Sequence, residues 1–173
     1  MLTTKNYTQK EMAYYFASQA AASLVYLEGG YILRIGLNSK TVDEPYEHNY
    51  CNCGGIPGEV SEIAIKLIGG LAVSKLRKDD FHFSNHEDFL KAEELARKLN
   101  KAMGIMAVGT ETIINSAKTR ALQMTEEIWT AIEELAQAVL RFKKIDSEEA
   151  TSIVKKALKG KNIKNCALSW GIN

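Results

Sequence analysis

Three helix starts along this chain are marked by a capping residue with glutamate three positions on: Thr8 with Glu11, Ser84 with Glu87, and Asp146 with Glu149. At that spacing the cap side chain accepts from the backbone amide three residues ahead, and the glutamate reaches back to the amide of the cap. Two orphan donors of a helix start are satisfied together. Each pair opens a stretch whose apolar residues recur every three or four positions, the period of a helix with a buried stripe. A chain punctuated in this way is largely confined to packing helix on helix.

Six helices follow from the caps and stripes. The first runs from Thr8 to about Glu28 and stops at Gly29-Gly30. Met12, Tyr15, Gln19, Ser23 and Tyr26 share one of its stripes, with Phe16, Ala20, Leu24 and Leu27 beside it. The second spans 58–77 and buries Ile63, Ala64, Leu67, Ile68 and Leu71. Gly69-Gly70 inside it cost about 1 kcal/mol each relative to alanine, which predicts that something packs closely there. The third starts after Ser84 and ends at Gly104; the fourth covers 111–123; the fifth begins after Thr125; the sixth opens at Asp146 and runs to Lys159. Tyr31, Ile32, Leu33, Arg34 and Ile35 are the best strand candidate. Residues 36–57 hold turn residues and read as a long loop, with room for a second short strand near 46–53. The expected fold is mainly α, a bundle of about six helices with a small β element near residues 31–53. A single domain covers 1–173, with 1–8 and 160–173 peripheral.

Basic and acidic residues balance, 22 against 21 for a net charge of +1, so no basic patch speaks for nucleic acid or an anionic membrane. No stretch reaches the roughly 20 apolar residues of a transmembrane segment, and neither membrane insertion nor a nucleic-acid partner is expected. The polar start, without a signal-peptide core, and an odd count of 3 cysteines point to a cytoplasmic protein with free thiols.

Four segments, in order and at consistent spacing, resemble the peptidase domain of the FtsH-type ATP-dependent membrane zinc proteases, from about Lys10 to Leu158. Ala13-Tyr14, Ala17 and Ala20 match residues within and around that family's Ala-Tyr-His-Glu-Ala-Gly-His-Ala stretch. Ile68-Gly69-Gly70-Leu71-Ala72 is similar to its Leu-Gly-Gly helix. Asp88, in Asn85-His86-Glu87-Asp88-Phe89-Leu90-Lys91-Ala92, falls on the position of its third zinc ligand. Leu135-Ala136-Gln137-Ala138-Val139-Leu140 and Ile145-Asp146-Ser147-Glu148-Glu149 are similar to its final helix pair. The resemblance implies the FtsH-type peptidase bundle.

The departures bear on function. A His-Glu-x-x-His helix sets two imidazoles on one face to hold zinc, with the glutamate polarising the attacking water. Those three places are Tyr15, Gln19 and Phe16 here, and none of them can do that work. The family's Ala-Ala-Glu-Glu segment has Ser74 and Lys75 in place of its acids. About a dozen residues precede the first motif, so neither an ATPase module nor a membrane anchor is expected. The reading that follows is a stand-alone, catalytically inactive relative, without a cofactor, acting in binding or regulation. Tyr15, Phe16, Gln19 and Asp88 would line its degenerate cleft, either as core filling or as a retained ligand pocket. Asp88 has a plainer role as well, favouring the positive end of its helix.

Two further readings concern other residues. Tyr31, Ile32, Leu33, Arg34 and Ile35, if they form an exposed edge, could bind a peptide by strand addition. Alternatively, His48, Cys51, Cys53, His82 and His86 could supply replacement zinc ligands for a metallopeptidase, although Cys51-x-Cys53 lacks the usual paired spacing. The expected partner is a protein or peptide, or a second copy of the chain.

Overall fold

Thr8 caps the first helix, α1 (Gln9–Tyr26), with both halves of the capping box in place. Thr8 Oγ1 accepts from the Glu11 amide at 3.3 Å, and Glu11 Oε2 accepts from the Thr8 amide at 2.7 Å. The structure, a computed structural model, describes residues 7–39, 48–56, 59–79 and 87–163. Between positions 12 and 26 every residue except Gln19 is buried. A helix that is apolar all round belongs inside a fold and not on its rim, and α1 is the central element. It packs against α2 (Glu59–Arg77), α5 (Trp129–Phe142), β1 (Glu28–Ser39) and β2 (His48–Ile56). Its tyrosine hydroxyls all find partners, as buried phenols must. Tyr26 donates to Glu127 at 2.7 Å, Tyr14 accepts from Gln137 at 3.4 Å, and Tyr15 donates to Asp88.

Around this axis lie α3 (Glu87–Ala102), α4 (Thr110–Glu127) and α6 (Ser147–Leu158). The fold is thus mainly helical, with six α-helices and a small antiparallel sheet among the described residues. α3 packs on α2 and α4, α4 on α2, and α6 on α5 and β1. Asp146 caps α6 as its spacing predicts, Oδ1 accepting from the Glu149 amide at 3.0 Å. Ser84, the expected cap of α3, lies outside the described residues.

Thr125 does not begin the fifth helix. It lies inside α4, which continues to Glu127, and its hydroxyl donates to the Ala121 carbonyl at 2.8 Å. Ala117, Ala121, Met124 and Ile128 are all completely buried, and this continuous stripe outweighs the local preference of a threonine for a cap. The hydroxyl is satisfied within the helix, as mid-helix threonines commonly are.

The sheet also departs from expectation. The second strand expected near 46–53 is present as β2, but β1 runs on through residues 36–39, read as loop from the sequence, and a third strand, β3 (Lys144–Asp146), completes the order β2-β1-β3. β1 is therefore the central strand. Residues 34–36 pair with β3 on one side and, through Arg34, Ile35 and Gly36, with β2 on the other. The expected peptide-binding edge at 31–35 is corrected accordingly: Arg34 and Ile35 are paired on both sides. β3 is only three residues long and comes from a distant part of the chain, so no local pattern announces it.

Two details position the residues discussed below. Ile32 pairs with Cys53, Arg34 with Asn52 and Ile35 with Cys51, so the register slips between Ile32 and Arg34. The slip is a bulge at Leu33, which is exposed, and it returns Ile32 and Ile35 to one buried face although they are three residues apart. Gly30 lets β1 cross the end of α1, since a Cβ there would lie 2.2 Å from the Ser23 carbonyl oxygen.

Candidate functional site

Tyr15, Phe16 and Gln19 project from α1, and Asp88 from the first turn of α3. The structure brings them together. The Tyr15 hydroxyl donates to the Asp88 carboxylate, Gln19 hydrogen-bonds the same Tyr15 side chain, and the Phe16 ring stands edge-on to Tyr15 at 5.6 Å. Tyr15 and Asp88 are each only 6% exposed, so the carboxylate is held in an apolar setting by a charge-assisted bond.

The Tyr15 ring lies on Gly69 of α2. A Cβ at Gly69 would stand 2.5 Å from Cε2 of that ring, nearer than any side chain tolerates. This is the close packing that the Gly69-Gly70 pair predicts. Tyr7 covers the other side of the group, its ring 5.8 Å from that of Tyr15, and the Arg77 guanidinium lies 5.4 Å from the Tyr7 ring. Arg77 in turn bonds Glu11 at 2.6 Å, which ties the start of α1 to the end of α2. Tyr7 and Arg77 were not among the sequence candidates. The signal for Tyr7 is its place just before the cap, where an apolar residue folds back onto the helix.

The electrostatics follow from this packing. Burial, reinforced by the neighbouring Asp88 charge and its hydrogen bond, pushes the Tyr15 phenol far above the usual tyrosine range. Tyr7 is pushed up to about 12, chiefly by burial, with Arg77 opposing. The Arg77 guanidinium draws Glu11 down to about 2. A phenol, a carboxylate, an amide and a phenyl ring therefore face one another, and the phenol keeps its proton. Such a group can hydrogen-bond. Of its four side chains none is an imidazole, and its one carboxylate accepts the Tyr15 hydrogen bond.

No family model matches the chain, and no curated protein matches it.

On the β2 side of α1, Cys51 Sγ lies 3.6 Å from the Phe16 carbonyl oxygen and 3.5 Å from Cys53 Sγ, and the Ser23 hydroxyl meets Cys53 Sγ at 3.6 Å. Both cysteines are free thiols, half-buried. Of the other residues in the replacement-ligand reading, the backbone of His48 pairs with that of Ser39, and His82 and His86 lie outside the described residues. Among the described residues no group of three or more His, Cys, Asp or Glu side chains is gathered to hold a metal ion. Among them also, no helix is long and apolar enough to cross a membrane.

Proposed function

We propose that this chain is an FtsH-type metallopeptidase-like protein without zinc chemistry, which binds a protein or peptide partner, or a second copy of itself, and does not cut it. The pairing of Tyr15 with Asp88 carries this reading. Where the resemblance puts the first imidazole stands a phenol, and its hydroxyl engages the carboxylate that the resemblance makes the third ligand. Tyr15 already takes up one oxygen of the Asp88 carboxylate, and no imidazole stands at the places of Tyr15 and Gln19 to complete a site around the other. For Tyr15 to serve a metal, the phenol would have to lose a proton that its burial and the Asp88 charge both hold in place. Phe16, at the place of the base, can polarise nothing.

The surface supports a binding role. Between Gly104 and Gly109 the chain makes a short 3-10 turn (Gly104–Met106) that presents Ile105, Met106 and Val108, which are 105%, 74% and 54% exposed. Neighbouring exposed apolar side chains of this kind mark interaction surfaces more often than isolated ones do.

The test sets the wild-type chain beside a variant with the motif restored, Tyr15→His/Phe16→Glu/Gln19→His, after exposure to zinc and removal of the excess. The wild type is expected to retain less than about a tenth of an equivalent and to leave an unfolded protein substrate uncut. The restored variant is expected to hold zinc and to lose it again with Asp88→Ala. Near-stoichiometric zinc in the wild type, lost on Asp88→Ala or on Cys51→Ser/Cys53→Ser, would overturn the proposal in favour of a metallopeptidase with replacement ligands.

A further inference from the structure

The two thiols of β2 have a chemistry of their own. As alternate residues of one strand, Cys51 and Cys53 point to the same face, and their pairing with Ile35 and Ile32 turns that face toward α1. Their sulfurs are already 3.5 Å apart, and a disulfide needs about 2.05 Å. We propose that Cys51 and Cys53 form a redox-active dithiol that closes reversibly into an intramolecular disulfide on reaction with a small disulfide of the glutathione class. This goes beyond the binding role proposed above, and no step of it uses Tyr15 or Asp88.

The surroundings make the two sulfurs unequal. Cys53 receives hydrogen bonds from Cys51 and from the Ser23 hydroxyl, and the Lys66 ammonium adds its field. The Cys51 bond is the largest of the effects that lower the Cys53 thiol below its ordinary range, against the opposing effect of burial. Cys51 is driven the other way, because its proton is shared toward Cys53 and its site is buried. That single proton can serve either Cys53 or the Phe16 carbonyl, not both at once. Cys53 is thus the attacking sulfur and Cys51 the resolving one.

The reaction balances with one oxidant. The Cys53 thiolate attacks a sulfur of glutathione disulfide; that S–S bond breaks, a Cys53–glutathione bond forms, and glutathione leaves as a thiolate that takes a proton from water. Cys51 then gives up its proton and attacks Cys53 Sγ. The mixed disulfide breaks, the Cys51–Cys53 bond forms, and the second glutathione leaves and is protonated. Two protein thiols are oxidised by two electrons, and one glutathione disulfide is reduced to two glutathione thiols. Bridging alternate residues of a strand closes a small ring near the upper limit of disulfide reach, so the bond is readily reduced and excess reduced glutathione reopens it. Closure also removes the Cys51 proton that can reach the Phe16 carbonyl, so oxidation changes the contact between β2 and α1.

The test exposes the full chain to oxidised glutathione, alkylates the remaining thiols and maps the peptide that carries both cysteines by mass spectrometry. The wild-type peptide is expected to be unalkylated, lighter by two hydrogens and restored by reduced glutathione. Cys51→Ser is expected to stop at a glutathione adduct on Cys53. Cys53→Ser is expected to react at Cys51 at least about ten-fold more slowly. A stable glutathione adduct on the wild type would overturn the proposal, as would both thiols remaining open to alkylation. Equal rates in the two serine variants would overturn the assigned roles. The wild-type result decides the closure itself even where a variant fails to fold.

Discussion

On the side of α1 that meets α2 and α3, Tyr15 gives its hydroxyl to Asp88 and lays its ring on Gly69. On the side that meets β2, the Phe16 carbonyl and the Ser23 hydroxyl meet the sulfurs of Cys51 and Cys53. The first contact is a charge-assisted O–H···O bond inside close packing, strong and demanding in geometry. The second rests on sulfur, a weak donor and acceptor that stays chemically available. One helix therefore carries stability on one side and reactivity on the other.

The sharpest way to break this comparison is to remove the ring. Tyr15→Ala is expected to cost about 3–5 kcal/mol in urea unfolding, as for other buried aromatics cut to alanine. Gly69→Ala completes the cycle. In the wild type it is expected to destabilise by about 1–3 kcal/mol through overpacking against Tyr15. With Tyr15→Ala already present it is expected to stabilise by about 1 kcal/mol, because alanine is the better helix former. Additive effects would mean that the two residues do not press on each other.

Removing only the hydroxyl asks less. Tyr15→Phe keeps the ring and takes one donor from a buried carboxylate, for an expected loss of about 1–3 kcal/mol. A neutral result would place the strength of this side in packing alone.

The Glu11–Arg77 pair gives a pH signature. Because Arg77 depresses Glu11 to about 2 from an ordinary 4.5, its contribution is fully present above about pH 4.5 and is lost as pH falls toward 2. Arg77 is 40% exposed, so solvent screens the pair. Arg77→Leu is therefore expected to cost only about 0.5 kcal/mol at pH 7 and to flatten this part of the acid limb of a stability–pH curve. An unchanged acid limb would detach Glu11 from the pair.

The smallest effect belongs to the sulfur side. Under reducing conditions Cys51→Ser and Cys53→Ser are each expected to shift stability by no more than about 0.5 kcal/mol, read by the same urea titration. A loss of several kcal/mol would turn the thiols into structural groups and erase the contrast between the two sides.

Much of the helical plan was legible because its causes are local. The Thr8 and Asp146 caps act within a turn, and both are found where the spacing puts them. Thr125 misled because its cap preference is local, whereas the burial of Met124 and Ile128 that overrode it is tertiary. At the candidate site, Tyr15, Phe16, Gln19 and Asp88 were named through a resemblance, and Gly69 was marked by the cost of glycine in a helix. The sequence already placed the first four in one cleft, but the Tyr15–Asp88 bond and the cover supplied by Tyr7 and Arg77 could not be read along the chain.

By itself the sequence determined where α1 and α6 begin, through the Thr8 and Asp146 caps, and much of what the helices bury. These depend on capping bonds and apolar spacing over a few residues. Only the tertiary structure decided that β3 flanks β1, that Tyr15 fills the space above Gly69 to reach Asp88, and that two thiols meet on the far side of α1. Such pairings join segments distant in the chain, and their free energy comes from long-range packing that no local pattern encodes.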